Sequence, residues 1–403
     1  MTEDYLMNTY KPDDVCFVRG EGIWLYDTNN KAYLDFLSGI AVTSLGHNFR
    51  PVNDAIKDQV DSLVHVSNLF KNKLANELAK KIGELINGIT SDNEENNFAD
   101  LDIDFGKVFF CNSGAEANEC AIKLVRKIKG PKAHKIISME NSFHGRTLAT
   151  LAATGQKSKQ EPFEPLPADF VQVPYDNLTA VKNEIDSATA AVLVEPIQGE
   201  AGIIVPSADY LKGISEICKS NNVLLIVDEI QTGLGRCGAW FKFQDARIIP
   251  DVVTIAKSLG NGVPIGACWA KTEIADNFKP GDHGTTYGGQ LLACRAALAT
   301  LETLVSINAP VQANRLGDII KSKLKVFPQI TEVTGTGLLL GIKFDKLNAK
   351  EVQLNSLKHG LVVNAPRSDT VRIAPSYLIN ESDVDIFIEK FADAIAHTYS
   401  SVE

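Results

Sequence analysis

Residues 223–262 read VLLIVDEIQTGLGRCGAWFKFQDARIIPDVVTIAKSLGNG. Two apolar, β-branched runs stand in this stretch, 223–227 and 252–256. Short runs of this kind predict buried parallel strands. Asp228 ends the first and Lys257 the second, with the glycine-rich SLGNG directly behind the lysine. A charged side chain at the end of a buried strand is costly unless it is paired or used. In an open α/β sheet, ligands sit at the carboxyl ends of the strands. An acid and a lysine placed there match the pattern that binds pyridoxal phosphate, a lysine Schiff base with an acid on the pyridinium nitrogen. An ordinary ion pair at two strand ends is the alternative, and these two residues alone leave both open.

Working outward, the strand-then-loop rhythm repeats. Residues 107–111 predict a strand, followed by Asn112-Ser-Gly-Ala-Glu-Ala-Asn118, which opens a helix through Lys129. Glycine at such a turn lets backbone N–H groups approach an anion, and the helix N-terminus favours negative charge. Ser113, Gly114 and Ala115 are therefore candidates for holding a phosphate. Many α/β proteins turn this way for packing alone.

Residues 135–140 predict another strand, which runs into Asn141-Ser-Phe-His-Gly-Arg-Thr147. Phe143 suits covering a flat ring, and Arg146 suits a bidentate grip on a carboxylate. A core phenylalanine and a surface arginine are the alternative. Residues 190–195 predict a buried strand, with Glu200 beyond its carboxyl end. Thr285 and Thr286, between glycines at 284–289, form a hydroxyl pair able to donate to a phosphate. Arg372 alternates with Val371 and Ile373, and by itself reads as a solvent-facing edge residue. His47 reads as structural.

Strands and helices alternate from about 107 to 270, which predicts a mostly parallel sheet with helices on both faces. Before it come a hairpin, 23–27 and 32–36 around Thr28-Asn29-Asn30, and helices at 51–66 and 74–85. Residues 91–104 are acidic and predict a solvated loop. A helix at 208–219 precedes the opening stretch, and an apolar helix at 291–305 follows the threonine pair. The tail changes character: a helix at 307–327, strands within 330–344, 361–364 and 371–375, and a last helix at 381–399. This divides the chain into 1–60, contributing to a small domain, 61–290 as a large domain, and 291–403 as the rest of a small α+β domain.

The 403 residues are 44% hydrophobic and 22% charged, ordinary for a globular enzyme with a large core. A net charge of −10 argues against nucleic-acid and anionic-membrane partners. Small anionic substrates remain open, because they answer to local arginines. The seven cysteines are odd in number and lack metal or redox spacing, which predicts buried free thiols in a reducing compartment. Residues 1–14 carry no apolar signal core, and no run is long enough to span a bilayer. The expectation is a cytoplasmic protein.

Taken in order, these segments resemble the class III, ornithine-type pyridoxal-phosphate aminotransferases of fold type I. The resemblance spans nearly the whole chain. It rests on Gly39-Ile-Ala-Val-Thr-Ser-Leu-Gly-His47, Asn112-Ser-Gly-Ala-Glu-Ala-Asn-Glu119, Phe143-His-Gly-Arg-Thr147, Glu195-Pro-Ile-Gln-Gly-Glu200, Asp228-Glu-Ile-Gln-Thr-Gly233, Ala256-Lys257, His283-Gly-Thr-Thr-Tyr-Gly-Gly289 and Arg372-Ile-Ala-Pro375. Each motif is moderate alone, and their ordered co-occurrence is specific. The resemblance implies an α/β fold whose large domain, with a mostly parallel sheet, carries the cofactor beside a smaller α+β domain.

It also implies roles. Lys257 links to pyridoxal 5'-phosphate and moves the proton, and Asp228 holds the pyridine nitrogen. Phe143 stacks on the ring, Gln231 lies near its 3-oxygen, and Gly114 and Ala115 meet the phosphate. Thr286 reaches the phosphate of a neighbouring subunit, which implies a homodimer with shared sites. Arg146, with Thr285 nearby, binds the substrate carboxylate, and Arg372 binds the α-carboxylate of glutamate. Glu200 gates Arg372. One departure stands out: the family's Ser-Gly-Thr phosphate turn has Ala115 in place of threonine, a lost hydrogen bond worth about 1 kcal/mol net.

Three functions stay open at this point. The first is transfer of the δ-amine of N2-acetylornithine to 2-oxoglutarate, a step of arginine biosynthesis, towards which Gly39-Ile-Ala-Val-Thr43 and Val66-Ser-Asn-Leu-Phe70 lean. The second is a sister ω-aminotransferase acting on ornithine, succinylornithine, 4-aminobutyrate or a lysine-pathway intermediate. The third is a catalytically silent relative serving as a scaffold, against which the retained Lys257 argues.

Overall fold

Thr189–Val194, Leu224–Asp228 and Val252–Ile255 are buried along their whole length. Such runs are stable only with both faces covered, and helices cover them here. A computed structural model describes residues 5–90 and 103–400. Of the acidic segment expected to form a loop, 91–102 lie outside the described residues. The central sheet has seven strands, in the order Lys107–Cys111, Gly266–Ala270, Val252–Ile255, Leu224–Asp228, Thr189–Val194, Lys135–Met139 and Phe170–Val173. Gly266–Ala270 runs antiparallel to both its neighbours. Every other adjacent pair is parallel. The mostly parallel sheet expected from the sequence is present.

Helix Gly114–Lys129 packs Ala121, Leu124 and Val125 on one face of the sheet, against Ile136, Ala191, Leu193 and Ile226. Helix Leu291–Ser306 is apolar and largely buried, as its alanine-rich sequence predicts.

The hairpin pairs Trp24–Asp27 with Ala32–Asp35. Asp27 Oδ1 closes it by accepting from the backbone N–H groups of Asn29 and Lys31, at 2.8 and 2.9 Å. Leu361–Val362 adds to this sheet, parallel to Ala32–Asp35, so the two ends of the chain meet there. A third sheet, Ile330–Thr336, Leu339–Phe344, Thr370–Ile373 and Asn364–Arg367, is antiparallel throughout.

Helix Ala349–Lys358 has no counterpart among the expected elements. Its buried residues include Gln353, Asn355 and Ser356, so polar side chains interrupt the apolar stripe that would announce it. Asn355 donates to Thr398 Oγ1 at 2.9 Å, and Gln353 accepts from the backbone of Ala365 at 2.9 Å. All seven cysteines are free, six of them buried and Cys16 exposed. No single helix among the described residues is long and apolar enough to cross a membrane.

Candidate active site

A cleft of about 390 Å³ opens at the carboxyl ends of the central strands. Ser113, Gly114, Ala115, Phe143, Arg146, Glu200, Asp228, Gln231 and Lys257 all line it, as does Glu195. Asp228 and Lys257 follow neighbouring parallel strands, so one cleft wall carries both. Thr285 and Thr286 do not line it within this chain. Thr285 Oγ1 accepts from Asn112 Nδ2 at 3.2 Å, and Thr286 is exposed.

Asp228 is buried, and three donors fix its carboxylate. Oδ2 accepts from Asn118 Nδ2 at 2.8 Å and lies 2.8 Å from His144 Nδ1, while Oδ1 accepts from Ile230 N at 3.1 Å. Thr254 donates to Asn118 Oδ1 at 2.8 Å, which sets the amide so that its Nδ2 faces the acid. Sequence reasoning gave His144 and Asn118 no role. Both sit inside motifs it had singled out, so the signal was their place in a segment already marked. His144 Nε2 is buried without a partner among the described residues.

Lys257 opens the turn Lys257–Gly260 with φ 44°, in the left-handed region. For a residue with a side chain this costs on the order of 1–3 kcal/mol and persists only when the surroundings enforce it. Burial pushes its amine down to about 8; Glu200 opposes the shift and Arg372 adds to it. Glu195 is driven well above the carboxylate range by burial and by Asp228, against a 3.0 Å bond from the backbone N–H of Phe143. Burial also works to raise Glu200, but Arg372 and Lys257 outweigh it and hold that carboxyl below its usual range.

Arg372 corrects its reading as a solvent-facing edge residue. Thr370–Ile373 is an inner strand, paired on both sides, and Arg372 is fully buried. Nη1 donates to Glu200 Oε1 at 2.6 Å, to Gly199 O at 3.3 Å and to Gln231 Oε1 at 3.4 Å. Nη2 donates to Asn364 Oδ1 at 2.7 Å. Alternation fixes a side chain's face but not which face is covered, and the loop bearing Glu200 covers this one. Arg146 is exposed, its guanidinium 5.7 Å from the centre of the Phe143 ring. His47 bonds Asp35 at 2.8 Å, away from the cleft residues.

The turn before helix Gly114–Lys129 is built for close approach. Ser113 caps the helix by accepting from Glu116 N at 3.2 Å. The backbone N–H groups of Gly114 and Ala115, in the first turn, have no acceptor within the helix. A Cβ added at Gly114 would stand 2.8 Å from Ile230 Cδ1. One added at Gly145, φ 138°, would meet Ala115 Cβ at the same distance. Neither glycine position has room for a side chain. A helix start for an anion, an aromatic ring, a fixed carboxylate and a low-pKa amine thus share one small cleft. These residues fit pyridoxal 5'-phosphate.

Sheet, strand-end pair and cleft define an aminotransferase of the pyridoxal-phosphate kind. The chain belongs to the class III aminotransferases, matching the family described as Aminotransferase class-III over residues 5–395. It is 42% identical to the acetylornithine aminotransferase of Aquifex aeolicus over 384 residues, covering 94% of this chain and 97% of that one. It is also 42% identical to the acetylornithine aminotransferase of Methanopyrus kandleri over 397 residues, 98% of each. A solved ornithine aminotransferase from Toxoplasma gondii, with partial occupancy of PLP at its active site, is 30% identical and superposes with a TM-score of 0.90. That match covers 99% of this chain and 93% of the other.

Proposed function

We propose that this enzyme transfers the δ-amine of N2-acetylornithine to 2-oxoglutarate, giving N-acetylglutamate 5-semialdehyde and glutamate. Similarity to acetylornithine aminotransferases over nearly the full chain supports the substrate. The observation that carries the chemistry is the 2.6 Å pair between the buried Arg372 and Glu200, an acid that lines the same cleft as Lys257. It is a carboxylate-binding arginine that the protein itself covers. One pocket can then admit an ω-amine while the pair is closed, and an α-amino acid once it opens.

Ser113, Gly114, Ala115, Phe143, Gln231, Asp228 and Lys257 would hold pyridoxal 5'-phosphate. When bound, that group supplies an electron sink for the carbon that loses its proton. Lys257 would take up the proton lost by the amine-bearing substrate carbon, which needs an amine neutral near physiological pH. Asp228, fixed by Asn118 and His144, would accept from the ring nitrogen. Phe143 covers the ring face. Arg146 would hold the carboxylate of the ω-amine substrate, and Arg372 that of glutamate.

A homodimer with shared sites is part of the same reading, and the exposure of Thr286 outside its own cleft supports it. So is the division into 1–60 with 291–403 and 61–290, which the pairing of Leu361–Val362 with Ala32–Asp35 supports. A cytoplasmic site of action agrees with seven unpaired cysteines. The test is a panel of ω-amines with 2-oxoglutarate as acceptor. Highest kcat/KM on acetylornithine supports the assignment. A clear preference for ornithine or 4-aminobutyrate overturns the substrate.

A further inference from the structure

Arg236 is a fully buried guanidinium with no carboxylate at ion-pair distance among the described residues. Nη1 donates to the backbone oxygens of Leu338 and Pro375, and Nη2 donates to Ser44 Oγ at 2.8 Å. Its Cζ lies 4.6 Å from the centre of the Tyr377 ring, and its Nε has no partner among the described residues. A buried charge without a counter-charge is costly, and an apolar side chain of similar size packs more cheaply. Stability alone is a weak reason for this residue.

Its partners give a better one. Pro375 lies three residues beyond Arg372 on the same segment. On the other side, Ser44 Oγ is 2.6 Å from Ser258 Oγ, and Ser258 donates to Ala41 O at 3.1 Å. Each hydroxyl has one hydrogen to give. Ser258 gives its own to Ala41, so Ser44 donates to Ser258 and accepts from Arg236. The chain therefore has one direction, from Arg236 through Ser44 and Ser258 to Ala41.

It ends on two strained turns. Ser258 follows Lys257, and Ala41 closes Ser38–Ala41, where four successive φ values lie between 51° and 67°. Further bonds clamp the same segment: Ser376 Oγ and Tyr377 N both donate to Ser44 O at 2.9 Å, and Leu45 N donates to Asn261 Oδ1 at 2.9 Å.

We propose that Arg236 and Ser44 are positioning residues that hold the segment of Arg372 in register with the turn of Lys257. They set where the substrate carboxylate sits relative to the amine that moves its proton. This rests on the roles given above to Lys257 and Arg372. Misplacement of about 1 Å can cost on the order of a hundredfold in rate.

The test is Ser44→Ala in the holoenzyme, which removes the relay oxygen and keeps the backbone acceptor. Single-turnover reaction with glutamate is expected to slow by about tenfold, with a raised KM, the scale of a small misplacement. The same variant is labelled as apo-protein with acetic anhydride across pH, and acylation of Lys257 is read by mass spectrometry. Its midpoint is expected to move away from the wild-type value. Arg236→Met is expected to do the same more strongly, and if it fails to fold, Ser44→Ala decides. An unchanged rate, KM and labelling midpoint in Ser44→Ala overturns the proposal, whatever happens to the melting temperature. The labelling arm needs no turnover, so it decides this inference even where the wild type proves inactive on glutamate.

Discussion

His144 Nδ1 lies 2.8 Å from Asp228 Oδ2, and both side chains are buried. Asp228 also lines the cleft, so in the proposed reading the imidazole would act on the cofactor through that acid. It orients the acid and fills a lone pair that would otherwise be buried and unmet. Leaving such a group unsatisfied costs about 1–3 kcal/mol. His144→Ala is expected to weaken retention of pyridoxal phosphate by tenfold or more, read as Kd by fluorescence quenching. Tight binding in that variant would remove His144 from the site.

In the proposed gate, Glu200 and the substrate carboxylate compete for Arg372. Glu200→Gln keeps the shape and drops the charge, which frees Arg372 for an incoming carboxylate. KM for glutamate is expected to fall several-fold, and discrimination in favour of the ω-amine to shrink. Acid acts in the same direction. The Glu200 carboxyl is held below its ordinary range, so the pair is complete above that range and is lost as pH falls through the lowered value. A KM for glutamate that is flat in pH and unmoved by Glu200→Gln would falsify the gate.

Much of this site was legible in the sequence because its parts follow strand ends. Asp228, Lys257 and the turn at Ser113 each come directly after a short apolar run, and strand ends are where an α/β sheet places ligands. Arg372 was not legible by itself, since its cover is a loop more than 170 residues away in sequence. The antiparallel direction of Gly266–Ala270 was equally silent, because period-two patterning marks a strand without giving its sense. Arg236 gave no signal either. Two of its acceptors are backbone oxygens, which carry no residue type to read, and the third is a serine hydroxyl 192 residues away.

Lys257 sets a pH signature on stability. Its amine is lowered to about 8 in the folded apo-protein, against about 10.5 when exposed. Below both values each state binds the proton, and the folded state carries the full cost of the buried charge. Between them only the unfolded state binds it, so stability rises with pH across that window. Lys257→Met is therefore expected to stabilise the apo-protein by on the order of 1–3 kcal/mol at neutral pH, a gain that fades between pH 8 and 10.5. Urea denaturation at pH 7 and pH 10 measures it. The same variant is expected to lose turnover, and normal transamination by it would end the assignment of the lysine.

Ala115 offers a gain of function in binding. It stands at the first turn of helix Gly114–Lys129 and lines the cleft. Its methyl already crowds Gly145, where an added Cβ would come within 2.8 Å, so a larger side chain has room only towards the cleft. Ala115→Thr places a hydroxyl there, beside backbone N–H groups that have no helical acceptor. One neutral hydrogen bond contributes about 1 kcal/mol, or about fivefold in affinity. Kd for pyridoxal 5'-phosphate is expected to fall by about that factor, while Kd for pyridoxal, which lacks the phosphate, stays where it is. Equal gains for both compounds mean that the added methyl packs on the ring and that this turn is not the phosphate site. A loss for both means that the corner at Gly145 has no room to spare.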